Sequence, residues 1–196
     1  MYFMENLLLQ NIAKHVTLTP DEEKTVLNAF ASDRFKAKTI VIKPGDEAHF
    51  TYFVLKGILR SYTIDDNGNA HILSFATPGW WVADMYSYLT GKPAILYVDV
   101  MEDCEVLILQ KCDSERLFKE VPKLERFFRI LTENNLIANQ QRVLDKMSLS
   151  AEERYEKFLA KYSDIVNCLP QKYIASFIGV TPEFFSKMKA NLLRRK

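Results

Sequence analysis

Cysteine is scarce: the 196 residues hold three, Cys104, Cys112 and Cys168. An odd, widely spaced set builds neither a disulfide framework nor a C-x-x-C metal knuckle, so all three are expected as free thiols in a reducing cytoplasm. Histidine is as sparse. His15, His49 and His71 stand apart, without the paired His-x-His and following acid of a metal site, and each is expected at the surface or as a satisfied polar residue. No stretch of eighteen apolar residues occurs, which excludes a transmembrane helix. The opening Met1-Tyr2-Phe3-Met4-Glu5 lacks basic residues and an unbroken apolar core, so no signal peptide is expected. The net charge is only +1, so any nucleic-acid affinity must come from a local basic patch.

What is present has the balance of a soluble globular protein, 48% apolar and 26% charged, with length for one large domain or two small ones. The first thirty residues read as helix, with Leu7, Leu8, Ile12, Val16, Val26, Leu27 and Phe30 at roughly helical spacing. Thr19-Pro20-Asp21-Glu22 restarts the helix after a turn. From about 36 to 110 the texture becomes β. Glycines at 45, 57, 68, 79 and 91 separate short β-branched and aromatic runs: Thr39–Ile42, Tyr52–Leu55, Ile58–Ile64, His71–Phe75, Leu96–Met101 and Val106–Leu109. Such spacing predicts a sandwich or barrel-like roll. Asn67-Gly68 predicts a tight hairpin with positive φ at both central positions.

Pro122 opens a stretch to Met147 without glycine or further proline. A helix of that length spans roughly 37 Å, more than one small core needs, and suits a seam between two chains. Ser150, with Glu153 three residues on, predicts a new helix start closed by a capping box.

The densest pattern lies at 169–189. Two short helices joined by a tight turn need a small residue at their crossing, a residue tolerant of left-handed φ in the turn, and apolar residues facing the shared core. Ala175, Gly179 and Phe185 supply these, with Ile174, Ile178, Val180 and Met188 completing the apolar set. Thr181 is a predicted N-cap, Pro182 the first helical residue and Glu183 a first-turn acid. The second helix is expected to expose Pro182, Glu183, Ser186, Lys187 and Lys189, a face that fits the DNA major groove. From 170 onward Lys172, Lys187, Lys189, Arg194, Arg195 and Lys196 face the single acid Glu183, a local charge of +5 that leaves the rest at about −4. The DNA-contacting set is therefore expected to be Lys172, Thr181, Glu183, Ser186, Lys187, Lys189, Arg194 and Arg195.

With these features in hand, the sequence resembles the Crp/Fnr family of transcription regulators over nearly its whole length. Lys43-Pro44-Gly45-Asp46 is similar to the start of the family's second hairpin, and Tyr52-Phe53-Val54-Leu55-Lys56-Gly57 to its hydrophobic strand ending in Lys/Glu-Gly. Ile72-Leu73-Ser74-Phe75 with Pro78-Gly79-Trp80-Trp81 resembles the approach to the phosphate-binding cassette. Leu149–Leu159 and Pro170–Met188 resemble short members that end just after the recognition helix. The resemblance implies an α+β protein: an N-terminal double-stranded β-helix, or jelly-roll-like β-roll, with flanking helices (1–121), a long dimerisation helix (122–147) and an all-α helix-turn-helix domain (148–196). It further implies a cytoplasmic homodimer on double-stranded DNA, a small-molecule effector, contact with RNA polymerase, and no enzymatic activity.

Two departures qualify this. Where cyclic-nucleotide-binding members have Gly-Glu-Leu and Arg-Ser-Ala, this chain has Ala83-Asp84-Met85 and Ala94-Ile95-Leu96. The arginine that pairs with the cyclic phosphate is replaced by Ala94, and Lys92 lacks the guanidinium fork. A charge-assisted bond to phosphate is worth roughly 1.5–3 kcal/mol, so cyclic AMP is not expected as the effector, nor is any other cofactor. Ala83, Asp84, Met85, Ala94 and Ile95, with Asn139 and Gln140 on the long helix, are the candidate pocket residues; Asn139 and Gln140 fit a polar seam equally well. No cysteine cluster supports an iron–sulfur oxygen sensor. The second departure is that Lys196 follows Arg194-Arg195 directly, so a short, wingless type leaning on its basic tail is expected. The competing readings are a signalling or protein-interaction module without DNA binding, and a cupin-like enzyme, for which the roll offers no nucleophile–base pair.

Overall fold

The computed structural model describes residues 2–194. Contacts divide the chain into two compact units, one running to Thr63 with Ser74–Glu133, the other comprising Ile64–Leu73 and the chain from Asn134 onward.

The first unit opens with α1 (Tyr2–Ala13) and α2 (Pro20–Asn28). The Thr19 hydroxyl accepts the Glu22 N–H while the Glu22 carboxylate accepts the Thr19 N–H at 2.7 Å, the reciprocal cap that starts α2. Six strands follow: β1 (Ala31–Phe35), β2 (Ile40–Ile42), β3 (Phe50–Ile64), β4 (Ala70–Ala76), β5 (Trp81–Val82) and β6 (Tyr97–Gln110). They form one sheet in the order β1-β6-β3-β4, with β2 on β6 and β5 on β3. Two short helices, α3 (Met85–Thr90) and α4 (Lys111–Glu120), flank it.

Four of the expected short strands are two long ones. Tyr52–Leu55 and Ile58–Ile64 merge into β3, and Leu96–Met101 with Val106–Leu109 into β6. Gly57 is a bulge, not a turn: the register shifts on either side of it, and its φ is +84°. A Cβ there would meet the Asp103 carbonyl at 2.4 Å, so glycine lets the two strands close on each other.

Two apolar clusters hold this unit. Inside the curled sheet Ile42, Val54, Leu59, Val98, Val100 and Val106 are buried together. Against its other side Leu8, Ile12, Phe53, Leu117, Leu124 and Phe127 pack with Trp81, whose ring lies 4.9 Å from that of Phe53. Each such side chain contributes roughly 1.5–3 kcal/mol. Arg60 and Asp99, paired across β3 and β6, form a buried ion pair, and the guanidinium also covers the Tyr62 ring at 4.4 Å. His49 departs from expectation: its Nε2 is buried with no hydrogen-bond partner.

The long helix α5 runs Lys123–Ser148. Leu124 and Phe127 are buried, but Leu136, Ile137, Val143, Leu144 and Met147 are 55–80% exposed. Among the described residues no helix is long and apolar enough to cross a membrane.

The second unit contains the far half of α5, α6 (Ala151–Lys161), α7 (Gln171–Ile178), α8 (Pro182–Arg194) and the tip of the β3–β4 hairpin. The Ser150 hydroxyl accepts the Glu153 N–H, and the Glu153 carboxylate accepts the Ser150 N–H at 2.8 Å, the capping box expected there. The hairpin tip is wider than expected. Lys38 is the only non-glycine with positive φ among the described residues, so Asn67 does not adopt it and only Gly68 does. The reason is Asp65, whose carboxylate accepts the N–H groups of Asn67 and Asn69 and meets the His71 ring at 2.9 Å. This side-chain turn displaces the two-residue turn. His71 and the Asn69 amides hold the Asp65 carboxyl down at about 2.

Candidate functional site

The helix pair α7–α8 forms as its residue types require. α7 ends on Gly179 in the left-handed region (φ 76°, ψ 43°), and the Val180 N–H reaches back to the Ala175 carbonyl at 3.0 Å. Ala175 is fully buried at the crossing, and Ile174, Ile178, Phe185 and Met188 are buried around it; Val180 is only half-buried. The Tyr155 ring meets Phe185 edge-on at 5.1 Å, fixing α6 to α8. The Thr181 hydroxyl accepts the Phe184 N–H at 3.2 Å, and its carbonyl accepts the Phe185 N–H at 2.9 Å. Thr181 is thus the N-cap of α8.

Basic side chains also secure the C-terminal end of α7. The Arg154 Nε donates to the Ile178 carbonyl at 2.8 Å, satisfying an orphan acceptor at the helix C-terminus. Arg142 on α5 does more. Its guanidinium donates to the carbonyls of Ile72, Leu73 and Phe177 and lies 4.4 Å from the centre of the Phe177 ring. Ser176 completes the joint: its hydroxyl accepts the Ile72 N–H at 3.0 Å and donates to the Ala70 carbonyl at 2.6 Å. The hairpin tip is therefore pinned onto α7. Burial pulls Arg142 below the ordinary guanidinium value, and burial, with Arg142 and Arg154 beside it, lowers Lys146. Nothing local in the sequence marked Arg142 or Ser176, because their partners lie 70 and 106 residues away.

With Phe185 and Met188 turned inward, α8 exposes Pro182, Glu183, Ser186, Lys187 and Arg194. Lys189 is half-buried rather than free, because it stands one turn after Phe185 on the edge of the buried face. Lys172 is exposed on the first turn of α7, its ammonium 5.1 Å from the Tyr173 ring centre. Arg195 lies outside the described residues. Phe184, missing from the expected set, is 52% exposed.

In the first unit Asp84, Ala94 and Ile95 come together, but the Asp84 carboxylate is already occupied. It is fully buried; one oxygen accepts the Ser87 N–H at 2.9 Å, capping α3, and the other accepts the N–H groups of Ile95 and Leu96 at 2.7 and 2.8 Å. The chain thus places its own anion on the backbone donors of this loop. Ala94 is buried in the apolar cluster inside the sheet, its N–H given to the Asp46 carbonyl at 2.8 Å. Ala83 is half-buried, Met85 and Ile95 are exposed, and Lys92 is exposed. Asn139 and Gln140 are exposed on the second unit's part of α5, Asn139 donating to Asn135 one turn back.

Residues 32–121, which hold the sheet with α3 and α4, match the family model described as the cyclic nucleotide-binding domain. The chain is 24% identical over 160 residues to an anaerobic regulatory protein of Aggregatibacter actinomycetemcomitans, covering 76% of this chain and 62% of that one. It is 25% identical over 159 residues to the fumarate and nitrate reduction regulatory protein of Vibrio cholerae, covering 76% and 63%. The chain therefore spans somewhat under two thirds of the length of these relatives. Its fold is similar to that of the c-di-GMP-responsive global regulator CLP of Xanthomonas campestris, with a TM-score of 0.73 at 16% identity, covering 90% of this chain and 93% of that one. The chain is thus similar in sequence to these regulators and shares the fold of CLP.

Proposed function

We propose that this protein is a dimeric, sequence-specific DNA-binding transcription regulator. The observation that carries the reading is α8 itself: a capped helix with an inward Phe185 and Met188, an outward Glu183, Ser186 and Lys187, and a basic C-terminal segment to neutralise phosphates. Thr181, Glu183, Ser186 and Lys187 address base edges, and Lys172, Lys189, Arg194 and Arg195 address the backbone. The exposed apolar row Leu136–Met147 on α5 supports the pairing of two chains, since these residues recur at 136/137, 143/144 and 147, the spacing of a helical seam. Pairing aims two α8 helices at major grooves about 34 Å apart.

The effector remains distinct from cyclic AMP in this reading. A cyclic phosphate near Ala94 would lie without a counter-charge, and the backbone donors of Ile95 and Leu96 are bound to Asp84. A more apolar ligand beside Met85 and Ile95 is compatible with these side chains, and regulation through RNA polymerase contact belongs to the same proposal. A gel shift at low salt with genomic fragments tests the DNA reading. Retarded complexes are expected, lost when Ser186 and Lys187 are both changed to alanine; equal binding by that variant would refute the placement of α8.

A further inference from the structure

Of the two phenylalanines that open α8, Phe185 is fully buried in the helix-pair core and Phe184 is 52% exposed. A single exposed apolar side chain is ordinary on a protein surface. Its position here is not. The Thr181 hydroxyl accepts the Phe184 N–H, so the ring sits in the capped first turn, the part of a recognition helix that lies nearest the bases. On a helical wheel Phe184 stands about 60° from Lys187 and about 100° from Glu183, on the border of the outward face. The flanking charge selects the occupant. A protein partner covering Phe184 would have to desolvate Glu183 and Lys187, whereas a duplex offers phosphates to the lysine and an amino donor to the carboxylate. The one apolar group that B-DNA presents in its major groove is the thymine 5-methyl.

We infer that Phe184 is a specificity-determining residue that packs on the 5-methyl group of a thymine in each half-site. The inference rests on the DNA-binding reading above and adds a base identity to it. The test uses a duplex selected from a random library by the full-length protein, resynthesised with deoxyuridine in place of each symmetric pair of thymidines. That exchange removes the methyl groups and leaves every hydrogen-bonding edge intact. One symmetric pair is expected to weaken wild-type binding by about fifteenfold, about fourfold for each buried methyl. The same exchange should leave Phe184→Ala almost unaffected, and that variant should bind the unmodified duplex about as weakly as wild type binds the deoxyuridine one. An unfolding curve matching wild type confirms that the exposed substitution keeps the fold. If wild type binds the duplex and no deoxyuridine pair matters, or if Phe184→Ala keeps the wild-type thymine preference, the inference is overturned while DNA binding stands. If selection retains no duplex, both fall together.

Discussion

Arg142→Met is expected to loosen the hairpin tip from α7. The wild-type guanidinium serves three carbonyls, on Ile72, Leu73 and Phe177, and covers the Phe177 ring. A hydrogen bond from a charged donor contributes roughly 1.5–3 kcal/mol net, and an arginine over an aromatic face about 0.5–2 kcal/mol. Against this, methionine fills much of the same volume and removes a costly buried charge. The hydrogen bond at the Leu73 carbonyl is itself exposed, so water can replace it. What remains is the loss at the carbonyls of Ile72 and Phe177, a destabilisation of about 2 kcal/mol. Hydrogen exchange is the sharpest assay, because the Ile72 N–H donates to Ser176 and reports docking of the tip directly. Its protection should fall about thirtyfold, with a matching shift in urea unfolding. Arg142→Lys, a point charge that reaches one carbonyl at a time, should fall between. Unchanged protection at Ile72 and an unchanged urea midpoint in the methionine variant would refute the idea that Arg142 joins α5, the tip and α7.

Further expectations follow from the same geometry. Asp84→Ala orphans three backbone donors at a fully buried position and should cost at least about 3 kcal/mol in denaturant unfolding, with Asp84→Asn, which keeps one acceptor oxygen, losing roughly half of that. Calorimetric titration of the wild type with cyclic AMP should give no binding heat. The Asp65 carboxyl is held at about 2 against an ordinary 3.8, so its hold on the hairpin tip is complete above pH 3.8 and is lost as pH falls through about 2. Carboxyl NMR should record that titration, moved upward in His71→Ala. Cys104 is buried, which pushes its thiol up to about 11, whereas Cys112 and Cys168 are exposed. Alkylation at pH 8 followed by mass spectrometry should label the latter two and spare Cys104 in the folded protein.

Most of the scaffold could be read from local chemistry, because helix starts and tight turns are decided by neighbours in sequence. Thr19 with Glu22, Ser150 with Glu153, and Thr181-Pro182-Glu183 each contain their own partners within three residues, and all three mark helix starts in the structure. Gly179 and Ala175 likewise sit where the helix pair demands them. The strands were harder. A glycine can end a strand or bulge it, and Gly57 bulges one because Asp103 and Cys104 approach from β6, information absent from its own neighbourhood. Asn67-Gly68 reads as a two-residue turn until the Asp65 carboxylate competes for the same amides. The candidate sites divide in the same way. The outward face of α8 follows from helical periodicity, which also explains the one misplaced member, Lys189 at the edge of the buried face. Asp84 was legible as a carboxylate but not as a spent one, because two of its three donors lie eleven and twelve residues on and meet it only through the fold. Arg142 and Ser176, which bind across 70 and 106 residues, left no local mark at all.

Sedimentation of the full-length protein with a selected duplex weighs the account in one step, since it counts chains on DNA. The exposed apolar row of α5 and the basic face of α8 predict two chains on each duplex in dilute salt, dissociating as salt rises. Protein that sediments as a single chain and leaves the duplex untouched in dilute salt would contradict it.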